Sequence, residues 1–137
     1  MGKLVRFGVS IDKTILDRFD KFINLRKYPT RSKAITDLIT ETLIKEDWSS
    51  GKETAGIISL VYDHHKHKIS NEIIHVQHDY YKNIISSQHV HLDHNNCLEI
   101  VIVRGNSSDI KGLSNSLKAI KGVKYCSLSL ATTGKNI

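Results

Sequence analysis

The chain has one proline, two cysteines and no apolar run longer than a few residues in 137. So little proline, with eight glycines and 39% hydrophobic residues, excludes disordered, collagen-like and low-complexity chains. Without a long apolar run there is no candidate membrane span. The start, Met1-Gly2-Lys3-Leu4, carries neither the apolar core nor the cleavage site of a signal peptide, so a cytoplasmic protein with no membrane partner is expected. Cys97 and Cys126 cannot build a disulfide framework, which points to a reducing compartment and leaves a thiol free for metal or redox chemistry. Acid is also scarce. Twenty Lys and Arg against 14 Asp and Glu give a net charge of +6, and such a balance points to a polyanionic partner.

Both the cations and the histidines are unevenly placed. Through residue 33 there are nine cations against three acids, Asp12, Asp17 and Asp20. All eight histidines (His64, His65, His67, His75, His78, His89, His91 and His94) fall between positions 64 and 94, just upstream of Cys97. Apolar periodicity lapses near Asp47-Trp48-Ser49-Ser50-Gly51-Lys52-Glu53. Two modules are therefore expected, one over residues 1–48 and one over 55–137, with 49–54 as the linker.

In the first module, residues 4–11 alternate Val5, Phe7, Val9 and Ile11 with Arg6, Gly8 and Ser10, the pattern of a strand with one buried face. Two amphipathic helices should follow, carrying Ile15, Leu16, Phe19, Phe22 and Ile23, then Ile35, Leu38, Ile39 and Leu43, either side of a break at Lys27–Thr30. Thr30 suits the N-cap of the second helix, which would hold Arg31 and Ser32 at an end able to meet a phosphate. One strand and two short helices bury too little to stand alone, and the strand would leave both edges unpaired, so an obligate dimer is expected. Two such strands paired about a twofold axis make a ribbon of the width that the DNA major groove admits. The arrangement resembles the ribbon-helix-helix DNA-binding fold. That resemblance implies that Arg6, Gly8 and Ser10 face the bases, with Arg6 able to bridge guanine O6 and N7; Gly8 departs from the side chain usual at its position.

The second module reads as strand (55–62), helix (Ile69, Ile73, Val76, Tyr80), strand (84–92), turn (93–96), strand (97–103), helix (Ile110, Leu113, Leu117, Ile120) and strand (123–130). The order βαββαβ is the ferredoxin-like split arrangement, so the whole chain is α+β. Two helices cover one sheet face, and a second copy of the module is the simplest cover for the other.

Residues two apart on a strand share a face, so His89 and His91 project together, and Cys97 begins the next strand across a short turn. Two imidazoles and a thiolate suit a borderline transition metal and leave a fourth position to fill, for which the upstream helix offers His75 or His78. Glu99 shares the face of Cys97 and could accept a hydrogen bond from a ligand imidazole. His64, His65, His67 and His94 are read as solvated surface, and Cys126 as packing.

His78, His89-Val90-His91 and Cys97-Leu98-Glu99, spaced H-x10-H-x-H-x5-C, resemble the nickel-responsive transcriptional regulators of the NikR family. Val61-Tyr62-Asp63-His64, Lys121-Gly122-Val123-Lys124, and Arg31-Ser32 followed by Ala34-Ile35 add to the likeness. The resemblance implies a homotetramer in which two DNA-binding dimers flank four ACT-like regulatory domains. It also implies one nickel ion per chain, held by His89, His91 and Cys97 of one subunit and His78 of another, with Glu99 behind them. By the same resemblance the function is nickel-dependent DNA binding to a palindromic operator, in repression of nickel uptake genes, and the protein is no enzyme. Lys33 stands where the family commonly has an acid that, with Asp37, helps hold a potassium ion beside the DNA, which puts that auxiliary site in doubt. A zinc metalloenzyme and an amino-acid-sensing ACT-type regulator are the alternative readings.

Overall fold

In the computed structural model, residues 2–135 and 137 are described. The chain forms α1 (Lys13–Leu25), α2 (Arg31–Ser49), β1 (Glu53–Tyr62), α3 (His67–Asp79), β2 (Ile84–His91), β3 (Cys97–Asn106), α4 (Ser107–Lys118) and β4 (Tyr125–Leu130). It divides into two compact units between Thr40 and Glu41. That boundary lies inside α2 and not in the linker expected over 49–54. Packing explains the difference: Trp48 is buried in the core of the second unit, where its indole Nε1 donates to the Ala131 carbonyl at 3.0 Å. Gly56 makes room for it, since a Cβ there would stand 3.2 Å from the indole ring and 3.0 Å from the Ser129 carbonyl oxygen.

In the first unit both expected helices form. Asp12 caps α1 by accepting from the Thr14 N–H at 2.9 Å, and Thr30 Oγ1 accepts from the Lys33 N–H at 3.1 Å at the start of α2. The break between them is a Schellman closure, in which the Tyr28 N–H bonds the Ile23 carbonyl, the Lys27 N–H bonds the Asn24 carbonyl, and Lys27 takes a φ of 59°. The strand expected over residues 4–11 is absent: this segment belongs to no helix or strand. Its apolar side chains lie open, with Leu4 97% and Phe7 69% exposed. A strand is stabilised by hydrogen bonds to a neighbour, and the expected neighbour is the same segment of a second chain.

In the second unit the expected βαββαβ order appears, as a four-stranded antiparallel sheet ordered β2-β3-β1-β4. Alternate residues point to one side: Ile58, Leu60 and Tyr62 of β1 and Cys97, Val101 and Val103 of β3 are buried there. Ile69 and Ile73 of α3 and Ile110, Leu113 and Leu117 of α4 complete that core. On the opposite sheet face Ile57, Val90 and Ile102 remain exposed. β2 is an edge strand, exposed at every position after its first.

Candidate metal centre

The β2–β3 hairpin positions the expected donors. Its turn is held by Asp93, whose Oδ1 accepts from the backbone N–H of Asn95 and of Asn96 at 2.8 and 2.9 Å, and by the Leu92 N–H to the Asn96 carbonyl at 2.9 Å. Lys124 Nζ bonds the Asn96 side-chain oxygen from the loop before β4. The register then sets His91 opposite Cys97 and His89 opposite Glu99. Directly opposed residues share a face, so all four lie on the side of the sheet that carries the helices. The two imidazole rings are 5.4 Å apart between centroids. Cys97 is wholly buried while both histidines are exposed.

Behind the donors stands a buried polar group. The Tyr62 hydroxyl donates to Glu99 Oε1 at 2.9 Å, and the Gln77 side-chain amide donates to Glu99 Oε2 from α3. His89 Nδ1 faces this pair, 3.5 Å from the Tyr62 hydroxyl and 3.6 Å from Glu99 Oε1. The Cys97 thiol points to the Tyr62 carbonyl oxygen at 3.3 Å. Burial raises the Cys97 thiol above its usual range, and Glu99 adds to this while the Tyr62 hydrogen bond opposes it. Burial, reinforced by Glu99, also drives the Tyr62 hydroxyl upward, so it donates as a neutral O–H.

A further histidine lies here. His64 Nδ1 is buried without a hydrogen-bond partner, and donor atoms of His64, His89 and Cys97 all lie within 4.8 Å of one another. The His64 ring is 4.4 Å from that of His91 and 4.1 Å from that of His65. The expectation of a solvated His64 is thus corrected. No periodicity marks it, because it stands in the turn after β1. The signal lay in the register: Tyr62 pairs with Cys97, and His64 follows Tyr62 by two residues, on the same side of the hairpin. Burial, reinforced by His65 and His91, lowers its pKa and keeps the ring neutral.

The other sequence candidates are spread out. His78 is exposed on α3, with its ring 6.3 Å from that of Tyr81, and is not part of the donor cluster in its own chain. His75 lies 3.9 Å from Asp79. His65 Nε2 lies 2.8 Å from the His94 carbonyl oxygen, and His67 is exposed at the first position of α3. Cys126 is buried against the Ser114 carbonyl, in keeping with a packing role. In the first unit Arg6, Gly8 and Ser10 lie exposed in the segment before α1. Arg31 is held by Asp20 through two hydrogen bonds of 2.9 and 2.7 Å, Ser32 accepts from Thr36 through its carbonyl, and Lys33 pairs with Asp37 at 2.7 Å.

Imidazole nitrogens and one thiol, one of the nitrogens buried and unsatisfied, form a donor set that fits a borderline divalent ion such as nickel or zinc. Among the described residues no helix is long and apolar enough to cross a membrane.

Comparison with known proteins agrees with that chemistry. Residues 55–131 match the family described as the NikR C terminal nickel binding domain. A protein of Syntrophus aciditrophicus named "Putative nickel-responsive regulator" is 53% identical over 135 residues, covering 98% of each chain. Proteins of the same name from Chlorobium limicola and Nitratidesulfovibrio vulgaris are 48% and 46% identical, over 98% and 100% of this chain and 100% and 99% of theirs. Among solved structures, an uncharacterized protein from Thermotoga maritima is similar in fold, with a TM-score of 0.53 at 16% identity, over 58% of this chain and 98% of that one.

Proposed function

The chain belongs to the NikR family of nickel-responsive regulators, a family of regulators and not of enzymes, and from that premise we propose that it is a cytoplasmic repressor that binds a palindromic operator when loaded with nickel. The observation that carries this reading is the hairpin register that aligns His89 and His91 with a buried Cys97 thiol. His89, His91 and Cys97 would hold the ion from one subunit and His78 from another. With imidazole and thiolate donors nickel favours a square plane, whereas zinc favours a tetrahedron. Glu99, itself fixed by Tyr62 and Gln77, faces Nδ1 of His89 and leaves Nε2 as the donor atom. Binding requires that Cys97 lose its proton, so affinity falls as pH drops.

The unit over 41–137 leaves one sheet face open at Ile57, Val90 and Ile102, which supports its burial against another copy and a tetramer. The open apolar residues Val5, Phe7, Val9 and Ile11 support pairing of the N-terminal segments into a ribbon, which presents Arg6, Gly8 and Ser10 to DNA. Arg31 and Ser32, at the start of α2, would lie towards the phosphates. Lys33 supplies a positive charge to Asp37 from within the chain, so no auxiliary potassium ion is needed there.

Gel shifts on genomic fragments test this reading. Nickel should tighten binding to one operator, Arg6→Ala should weaken it by about 1–3 kcal/mol with relaxed specificity at one base position, and exchanging sodium for potassium should change nothing. Binding that is indifferent to nickel would refute the proposed function.

A further inference from the structure

We propose that His64 gives the chain a second way of holding a divalent ion, in which His64, His89 and Cys97 of a single subunit bind it without His78 of a neighbour. The inference rests on the nickel-regulator reading above and concerns the order in which donors are recruited. Each of the three donors is already in place in one chain. His89 and Cys97 are fixed by the hairpin register, and His64 is fixed by the turn that leaves β1. In that turn Asp63 Oδ1 accepts from the His65 N–H at 3.0 Å and the Asp63 carbonyl accepts from the Lys66 N–H at 3.2 Å.

Their spacing suits one ion. Donors on opposite sides of a first-row ion stand about 4.4 Å apart, the sum of a sulfur bond near 2.3 Å and a nitrogen bond near 2.1 Å. The three donors here lie within 4.8 Å of one another. Only one pair of the three can lie on opposite sides of an ion, so closing on it asks side-chain torsions to draw the other donors nearer still. His64 Nδ1 is buried and has no other partner, so an ion would satisfy a nitrogen that is otherwise left bare. By contrast, His78 is exposed on α3 and is not part of the donor cluster of its own chain. An ion that enters a subunit thus meets a complete three-donor set before any neighbour contributes.

The consequence is regulatory. An ion held by His64, His89 and Cys97 touches one chain only, so it cannot tie subunits together and leaves DNA affinity unchanged. Replacement of His64 by His91 of the same chain and by His78 of the partner subunit is the step that makes the bound ion felt elsewhere. Four full-length proteins test this: the parent, His64→Ala, His78→Ala and the double variant. Each is titrated with nickel(II) while thiolate charge-transfer absorption and ion affinity are followed, and His64→Gln with its apo melting curve serves as a check on folding. The parent and His64→Ala should bind one nickel per chain with affinities within about threefold of each other. His78→Ala should keep a thiolate band, and the double variant should bind about tenfold or more weakly than His78→Ala. Equal affinity of His78→Ala and the double variant would overturn the proposal and leave the nickel-regulator reading standing, as would loss of the band in His78→Ala alone. A parent protein with no thiolate band would remove both.

Discussion

Replacing Tyr62 by Phe isolates the polar group behind the hairpin. The ring is retained, so the packing of β1 against the helices persists, and only the hydroxyl that donates to Glu99 Oε1 at 2.9 Å is removed. Both partners are buried, Tyr62 at 3% and Glu99 at 8% exposure, and the carboxylate keeps the Gln77 amide as its other donor. A hydrogen bond to a charged group contributes about 1.5–3 kcal/mol, and its loss leaves a buried carboxylate short of a donor. A loss near 2 kcal/mol is therefore expected for the apo protein at pH 7. With a urea dependence of about 2 kcal/mol per M, the unfolding midpoint should fall by roughly 1 M. In a Glu99→Gln background the acceptor is neutral, and the same substitution should cost only about 1 kcal/mol. The double-mutant cycle then reads the charge-assisted part directly. A loss below about 0.5 kcal/mol, or an equal loss in both backgrounds, would refute the claim that Tyr62 supports a charged Glu99.

Two other outcomes follow from the structure. Gly122 has a φ of 99°, and a Cβ there would come within 2.3 Å of Ile69 Cδ1, so Gly122→Ala should destabilise the apo protein by about 1–3 kcal/mol in urea unfolding, and a neutral result would contradict the placement of α3 against that turn. Because burial raises both Cys97 and Cys126, the stability that each thiol contributes is full below the ordinary thiol value of about 8.5 and is lost as pH rises through it toward the higher folded values. The urea midpoint of apo protein should fall between pH 8 and 9.5, and the Cys97→Ala/Cys126→Ala protein should show a flatter slope; an unchanged slope would remove the thiols as its source.

The second unit was legible in the sequence because its periods are clean. Alternation along β1 and β3, the helical stripes Ile69-Ile73 and Ile110-Leu113-Leu117, and the turn at 93–96 are all local signals, and each produced the expected element. Their ends moved by a few residues, as at α4, which starts at Ser107, three residues before its first apolar contact, because Asn106 caps it by accepting from the Ser108 N–H. The N-terminal strand has an equally clean pattern, yet residues 4–11 form no strand. Alternation reports which side chains want burial, while strand formation needs a neighbouring backbone that one chain does not supply. The same distinction separates His91 from His64. HxH spacing is readable along a strand, but His64 reaches the centre only through the pairing of Tyr62 with Cys97, and no run of residues encodes that register.

The location of the donors connects these points. β2 is the outermost strand of the sheet, and His89 and His91 lie exposed on it beside a thiol that is wholly buried. An ion placed deeper would be satisfied by one chain, and its binding would be energetically invisible to any other subunit. On an edge strand the buried thiol anchors the ion while the open side remains available for a fourth donor from outside. On the proposed reading, the effect on DNA would depend on a difference of affinities: the ion would favour the assembled state only by as much as it prefers the donor set that includes His78 of the partner subunit to the set completed by His64. A preference of a hundredfold corresponds to about 2.7 kcal/mol, within the usual range of coupling between sites. On that reading His64 sets the reference from which the coupling is measured, and a substitution there should change the nickel response while leaving the DNA-facing residues and the four shared ligands themselves in place.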